Sequence, residues 1–267
     1  DSLVRSLEVS WKGLFGAERQ RLLRFVGQLR GDAAAMSATL DHDADRLATA
    51  TAPLQARLRA SLRTTHLQAF DRDGLMFFST GPDDTGGHPA PVLEAGTARE
   101  IARQAEPVAG LFRTPDGNVT YALAAPISGR AGVAGLVVFH TRLADFVREL
   151  SDLTGVSTLA FGPGDGLLAA SAPPGERLPE IRTAALGSVG SLDTRVIDGR
   201  VLRLASIPLE GPYDPALGAL AAYVDVTEEA ERRALVSRLS YFGLACVVIL
   251  FLSFVNWYLR TSFGPLN

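Results

Sequence analysis

The first part of the chain carries apolar side chains at helical spacing and no strand signal. Leucine, tryptophan and phenylalanine recur every three or four positions over residues 3–29, with one polar gap at Glu18, and the pattern then resumes. This spacing places apolar residues on one face of a helix. Residues 1–64 are therefore predicted to form a long helical arm, continuous or broken near Gly31 or Pro53. Its apolar stripe needs a partner, either the rest of the chain or a second copy.

A different pattern lies near the C-terminus, where the apolar positions are continuous. Residues 239–259 contain no charged side chain and lie between Arg238 and Arg260. A helix of this length spans about 31 Å, close to the hydrocarbon thickness of a bilayer. Aromatic residues at both ends, among them Trp257, suit the two membrane interfaces. We predict a transmembrane helix over 239–259, preceded by a connecting helix over 227–238.

Between the arm and this span, short apolar runs separated by turn residues occur twice in the same order. The matched pairs are AFDRDGLMFFST (69–80) with AFGPGDGLLAAS (160–171), and VTYALAAPI (119–127) with VLRLASIPL (201–209). Each copy continues through a glycine-rich turn into another apolar run. The order of these features favours duplication of one module over chance similarity of short strands.

These patterns together predict an α+β fold: a long N-terminal helix, two tandem modules built on antiparallel sheets, and one C-terminal transmembrane helix. The predicted segments are the arm 1–64, a first module 65–150, a second module 151–226, a connecting helix 227–238, the span 239–259 and a tail 260–267.

Composition argues against catalytic and metal chemistry. Lys12 is the only lysine, and Cys246, the only cysteine, lies inside the predicted span, so a disulfide framework or a cysteine zinc site is excluded. The four histidines form no pair at the helical spacing of metal motifs. Asp71 and Asp73 precede a glycine, which is more typical of a turn than of an acid–base pair. The net charge of −3 gives no sign of nucleic-acid binding. We predict no enzyme, no cofactor and no metal site in this segment.

The order of segments resembles the double Cache sensor domains of bacterial transmembrane receptors, whose modules are PAS-like. The segments that carry the resemblance are FDRDGLMFFST, ALAAPISGRAGVAGLVVFHTRLADFV and SIPLEGPYDPALGALAAYVDVTEE. The resemblance extends over residues 1–260. The tail RTSFGPLN is similar to the opening of a HAMP linker, with Pro265 and Leu266 at the matching positions.

The resemblance implies the extracytoplasmic ligand-sensing region of a signalling receptor with a histidine kinase, chemoreceptor or nucleotide cyclase output. The modules would then lie in the periplasm, the span in the inner membrane, and the chain would be a homodimer through its arm and membrane helix. Arginines at 232, 233 and 238 precede the span and only Arg260 follows it, a count that favours the opposite orientation. An alternative therefore stays open, a tail-anchored cytoplasmic adaptor or scaffold that uses its long helix for protein interaction.

The resemblance also implies a ligand cavity in the membrane-distal copy, which is the first module. Alternation puts Tyr121, Leu123 and Ala125 on one face of their strand. Arg113 is able to grip a carboxylate or phosphate, so an anionic small molecule is one candidate ligand. The predicted ligand-binding residues are Arg113, Tyr121, His140, Phe70 and Phe78. The alternative for each is ordinary packing or surface charge. The second module, with smaller side chains, is predicted to relay the signal.

Overall fold

A computed structural model describes residues 2–59, 63–80, 90–129, 132–164, 166–173 and 178–263, without the side chains of residues 2, 59 and 260–263. The helices are α1 (Ser2–Gly31), α2 (Ala33–Leu40), α3 (Ala44–Arg59), α4 (Ala95–Gln104), α5 (Leu143–Thr154), α6 (Leu178–Gly187) and α7 (Thr227–Phe263). The strands are β1 (Thr65–Asp71), β2 (Met76–Ser79), β3 (Val108–Arg113), β4 (Val119–Gly129), β5 (Gly132–Arg142), β6 (Ser157–Phe161), β7 (Leu167–Ala170), β8 (Leu192–Ile197), β9 (Arg200–Leu209) and β10 (Gly218–Asp225). The predicted α+β class is confirmed.

The chain divides into two compact units. The larger unit comprises Asp1–Asp193 and Leu204–Val224, and it contains the arm and the bulk of both modules. The smaller unit comprises Thr194–Arg203 and Asp225–Asn267, which are the turn region of the β8–β9 hairpin and the C-terminal helix.

Over residues 2–59 the arm forms three helices in series. The predicted break near Gly31 is confirmed, because the Asp32 carboxylate accepts hydrogen bonds from two N–H groups of the first turn of α2, at 2.9 and 3.1 Å. The predicted break at Pro53 is wrong, because α3 continues through that residue. The second break lies instead before α3, where His42 has a left-handed φ of 55°.

The two modules share one topology. Their five-stranded sheets have the orders β2-β1-β5-β4-β3 and β7-β6-β10-β9-β8. The first strand of each carries an irregularity of register directly before its phenylalanine, Phe70 or Phe161. The glycines that open the matching apolar runs are equivalent too. A Cβ on Gly135 would lie 2.5 Å from the Phe70 carbonyl oxygen, and one on Gly218 would lie 1.8 Å from that of Phe161. The two modules therefore share their strand order, their register irregularity and their close-packed glycine.

The turn at residues 71–75 behaves as predicted. The Asp71 carboxylate accepts hydrogen bonds from the N–H groups of Asp73 and Leu75, at 2.9 and 2.8 Å, and Gly74 supplies a φ of 82°. Asp71 is therefore a turn former. The corresponding Asp165 of the second copy lies outside the described residues.

The first sheet has an apolar core on each side. On one side, here called the arm face, residues such as Leu67 and Phe139 share a core with Leu22 of α1. On the other side, here called the α4 face, residues such as Val138 share a core with Ile101 of α4. Alternation along each strand assigns every side chain to one face or the other.

The C-terminal helix runs without interruption from Thr227 to Phe263, so the predicted connecting helix and span are one element. The Asp225 carboxylate accepts from the Thr227 N–H at 3.0 Å and pairs with Arg200 at 3.0 Å, which fixes the start of the helix. Residues 227–259 have a mean hydropathy of 2.1 in their most apolar part, and α7 is the one helix of the described residues that is long and apolar enough to cross a membrane. Pro265 and Leu266 lie outside the described residues.

Candidate ligand-binding site

The structure separates the five predicted ligand residues into two groups. Tyr121, Phe78 and Arg113 lie on the arm face, and His140 and Phe70 lie on the α4 face. The two groups lie on opposite faces of the same sheet, so they cannot line one cavity.

Tyr121 is built into the packing between α1 and the sheet. Its hydroxyl donates to the Phe15 carbonyl oxygen at 3.2 Å, and its ring centroid is 4.7 Å from that of Phe15 and 5.3 Å from that of Phe146. Burial raises the pKa of Tyr121 to about 12. The prediction that Tyr121, Leu123 and Ala125 share a face is confirmed, and that face meets the arm.

Arg113 has partners within the chain. Its Nε atom lies 3.1 Å from the Asp214 carboxylate, and its terminal nitrogen donates to the Leu217 carbonyl oxygen at 3.5 Å. Both charged side chains are about one-third exposed. Since Asp214 belongs to the second module, Arg113 joins the two modules.

His140 lies on the α4 face directly beside His66. The two residues are register partners on the antiparallel strands β5 and β1, and their ring centroids are 5.2 Å apart with 33° between the planes. The Nε2 atom of His140 is buried and has no hydrogen-bond partner among the residues that the structure describes. Burial is the main reason that the pKa of His140 falls to about 3, with smaller contributions from His66 and Arg142. The imidazole is therefore neutral at pH 7, with one ring nitrogen unused.

Small residues lie next to this histidine in the sheet. Gly110, Ala122 and His140 follow one another across β3, β4 and β5, and Ala124 lies in the adjacent row. Both alanines are fully buried. Because these residues have small side chains or none, a group that covers this face lies close to the backbone of the sheet.

A loop of the second module covers the β3 end of the α4 face. We name residues 210–217, between β9 and β10, the bridging loop. Pro212 lies so close that a Cβ on Gly110 would be 2.8 Å from its ring. The Tyr213 ring centroid is 6.1 Å from that of Phe112, and its hydroxyl donates to the Gln104 side chain at 3.4 Å. The second module thus contributes side chains to a core of the first.

A buried ionic cluster on the arm face escaped the sequence analysis. Glu18 is 1% exposed, and its carboxylate accepts from Arg63 at 2.8 Å, from Arg21 at 2.8 Å and from the Thr141 hydroxyl at 2.9 Å. Arg63 also pairs with Glu149 of α5. The polar gap in the stripe of the arm was the only signal in the sequence. The cluster connects α1, the first sheet and the helix that leads to the second module.

We expect acid to destabilise the chain through His140. Its folded-state pKa of about 3 lies below the ordinary 6.5, so between these values the unfolded state binds the proton first. The free energy of unfolding is therefore highest above pH 6.5 and decreases as the pH falls. The expected decrease between pH 7 and pH 5 is about 1–2 kcal/mol, after allowance for the partial exposure of the His140 side chain. Urea unfolding in detergent at pH 7 and at pH 5 measures this change in the free energy of unfolding. The loss between the two pH values should be smaller in His140→Gln, and an equal loss in both proteins would contradict the assignment.

Among the described residues, no three or more histidine, cysteine, aspartate or glutamate side chains are grouped to hold a metal ion. The α4 face therefore offers apolar surface, one unused imidazole nitrogen and a second histidine. This arrangement suits binding of a ligand.

Comparison with known proteins identifies the fold. The family model for the double sensory domain of two-component sensor kinases matches residues 1–189. The periplasmic domain of Vibrio cholerae LuxQ is similar in structure, with a TM-score of 0.58 at 12% identity, over 83% of this chain and 99% of that chain. The ligand-binding domain of the Pseudomonas aeruginosa PAO1 amino acid chemoreceptor PctB, in complex with L-Arg, gives a TM-score of 0.51 at 16% identity, over 86% and 96%. No curated protein sequence matches the chain.

Proposed function

This chain belongs to the double Cache family of sensory domains, and we propose that it is the extracytoplasmic, ligand-sensing region of a bacterial transmembrane receptor. In this proposal the first module binds a small molecule on its α4 face. The second module passes the change to α7, and α7 carries it across the membrane.

The Nε2 atom of His140, which is buried and has no hydrogen-bond partner in the described part of the chain, carries the ligand-binding part of the proposal. Buried polar atoms almost always have a hydrogen-bond partner, and an exception needs an explanation. A ligand that bonds to Nε2 supplies one. Phe70 shares this face, Ala122 lies beside His140 in the sheet, and Gly110 lies beside Ala122.

Amino acids are the first ligand class to test, because PctB has the same fold and is a chemoreceptor for them. A negative charge on the ligand is not required by this geometry. Arg113, the residue expected to grip an anion, lies on the arm face and pairs with Asp214. We therefore assign ligand contact to His140 and Phe70, and we assign Arg113 to the connection between modules.

The bridging loop supports a route for the signal. Pro212 and Tyr213 contact the α4 face, and the chain continues from this loop directly into β10 and then into α7. A ligand that shifts the bridging loop would move the strand that precedes the membrane helix. Such coupling requires that the ligand bind the two positions of the loop with different affinity.

We place both modules in the periplasm and the span in the inner membrane, followed by a HAMP-like linker at 260–267 and a histidine kinase, chemoreceptor or cyclase output. We also propose a homodimer formed through the arm and α7. The apolar side chains of α7 support burial in lipid or against a second copy, since Phe251 and Leu252 are 64% and 59% exposed in the single chain.

A thermal-shift screen of the whole chain in lipid nanodiscs tests ligand binding. Amino acids, organic acids, amines and nucleotides are added one at a time. A ligand at 100 times its dissociation constant should stabilise the chain by about 2.7 kcal/mol. Ala122→Leu fills the α4 face and should abolish the shift.

Tyr121→Phe is the matched control, since it changes the neighbouring residue on the opposite face. It should retain the full shift. If Ala122→Leu does not fold, Ala122→Val is used in its place. A shift that survives filling of the α4 face would place the ligand elsewhere, and no shift with any compound or metal ion would contradict small-molecule sensing.

A further inference from the structure

We propose that His66 and His140 together bind a divalent late transition-metal ion, of the class of Zn²⁺, Ni²⁺ and Cu²⁺, on the α4 face. This inference rests on the proposed function and deepens it, because it names the chemical class of a ligand for the first module.

The placement of the two histidines in the sheet is the first argument. They are direct partners in the β1–β5 register. Residues that face each other across antiparallel strands have Cβ atoms about 4.5–5.5 Å apart and point to the same side of the sheet. Two imidazoles on such neighbouring positions reach a common point above the sheet without movement of either strand.

The spacing of the rings fits a shared ion. With a metal–nitrogen distance of about 2.0–2.1 Å, an imidazole ring centroid lies about 3.2 Å from the metal. Two rings at a tetrahedral angle of about 109° then have centroids about 5.2 Å apart. The observed separation of the His66 and His140 centroids is 5.2 Å.

The chemistry of the donors is the third argument. The Nε2 atom of His140 is buried and makes no hydrogen bond to any described residue, so it is available as a metal ligand. Imidazole nitrogen is a preferred ligand of Zn²⁺, Cu²⁺ and Ni²⁺ and a poor one for Mg²⁺ and Ca²⁺.

Two protein ligands leave the other coordination positions open. Within the residues that the structure describes, no third histidine, cysteine or carboxylate completes the group. Structural zinc sites are closed by four protein ligands, and open sites keep positions for water or another ligand. An open pair of histidines suits a receptor, because the ion exchanges with solution as its concentration changes.

Metal binding by the full chain in nanodiscs, without an affinity tag, tests the proposal. Equilibrium dialysis with ZnCl₂, NiCl₂ or CuCl₂ is followed by metal analysis for the wild type, His66→Gln, His140→Gln and the control His42→Gln. His42 is exposed and lies on the arm, so its variant should bind like the wild type. We expect one ion per wild-type chain. Loss of either ligand should weaken binding by at least about tenfold, since loss of an outer partner of a metal ligand already costs 10–100-fold.

A second measurement needs no variant and decides the question if a substitution prevents folding. In the presence of dissolved O₂, which is the oxidant, Cu²⁺ with ascorbate as reductant oxidises the histidines that hold the copper, and mass spectrometry locates the oxidised rings. Oxidation confined to His66 and His140 supports the site. Oxidation elsewhere, binding that is equal in the two ligand variants and the wild type, or no stoichiometric binding would overturn it.

The screen of small molecules, repeated with EDTA, separates this inference from the proposed function. An amino acid that stabilises the chain in EDTA, together with no metal binding, would retain the sensor and reject the metal site. Stabilisation by the metal ion alone, lost in His66→Gln, would support both.

Discussion

Glu18→Gln is expected to lower the free energy of unfolding by about 3–5 kcal/mol, the usual effect of removing one partner from a buried ion pair. The substitution keeps the shape of the side chain and removes its charge. It leaves Arg63, which is 10% exposed in its side chain, without the charge of the Glu18 carboxylate. The Thr141 hydroxyl also loses its charged acceptor.

The charge on Arg63 explains the size of this effect. Burial alone would lower the pKa of Arg63, but its ion pairs with Glu149 and Glu18 raise it above the ordinary value. The guanidinium therefore stays charged, and it lies over the Phe146 ring with its central carbon 4.6 Å from the centroid. A charge in this position cannot be neutralised when its partner is removed.

Glu8→Gln is the matched control, because it makes the same change on the same helix. Glu8 pairs with Lys12 at the surface, where the two side chains are 48% and 74% exposed. Exposed pairs of this kind are screened by solvent and contribute little to stability. Chemical unfolding of both variants in detergent gives the comparison. A difference between them of less than about 1 kcal/mol would mean that the Glu18 cluster does not hold the arm to the sheet.

Gly218→Ala is expected to cost about 3 kcal/mol or more, the combined effect of backbone strain and a steric clash. Gly218 has a φ of 145°, and an added Cβ would lie 1.8 Å from the Phe161 carbonyl oxygen. That oxygen belongs to the neighbouring strand and cannot move aside as a flexible side chain would. The strands β6 and β10 would have to separate.

Gly16→Ala provides the control for this second prediction. Gly16 lies on the exposed side of α1, and nothing is found within 4 Å of an added Cβ. Alanine in a helix is favoured over glycine by about 0.8–1.0 kcal/mol, so this variant should be as stable as the wild type or more so. Thermal unfolding ranks the two. Equal stability of Gly218→Ala and the wild type would show that the close approach of β10 to β6 is not fixed.

The architecture could be predicted because it depends on local patterns. Alternating apolar residues and Asp-Gly turns determine short strands, and the second occurrence of the same order revealed the duplication. An uncharged run of 21 residues is enough to predict a helix that is long and apolar enough to cross a membrane. Pro53 shows the limit of such rules, since packing of α3 outweighs the loss of one backbone hydrogen bond.

The site could be predicted only in part, because its geometry depends on contacts between distant residues. Alternation correctly grouped Tyr121 with Leu123, but it does not reveal which face meets the arm and which meets α4. The pairing of Arg113 with Asp214 joins residues 101 positions apart, and no local sequence pattern predicts it. For the same reason the sequence shows Glu18 only as a polar gap in the apolar stripe of the arm, although its carboxylate lies at the centre of the buried ionic cluster.

The bridging loop also protects the first sheet from aggregation. β3 is an edge strand, and an uncovered edge offers its free backbone groups to any strand of another molecule. Gly211 approaches this edge so closely that a Cβ on it would lie 2.2 Å from the Leu111 carbonyl oxygen. The second copy is thus a cap for the first, and a fragment that ends at residue 150 would leave the β3 edge open to pairing between molecules.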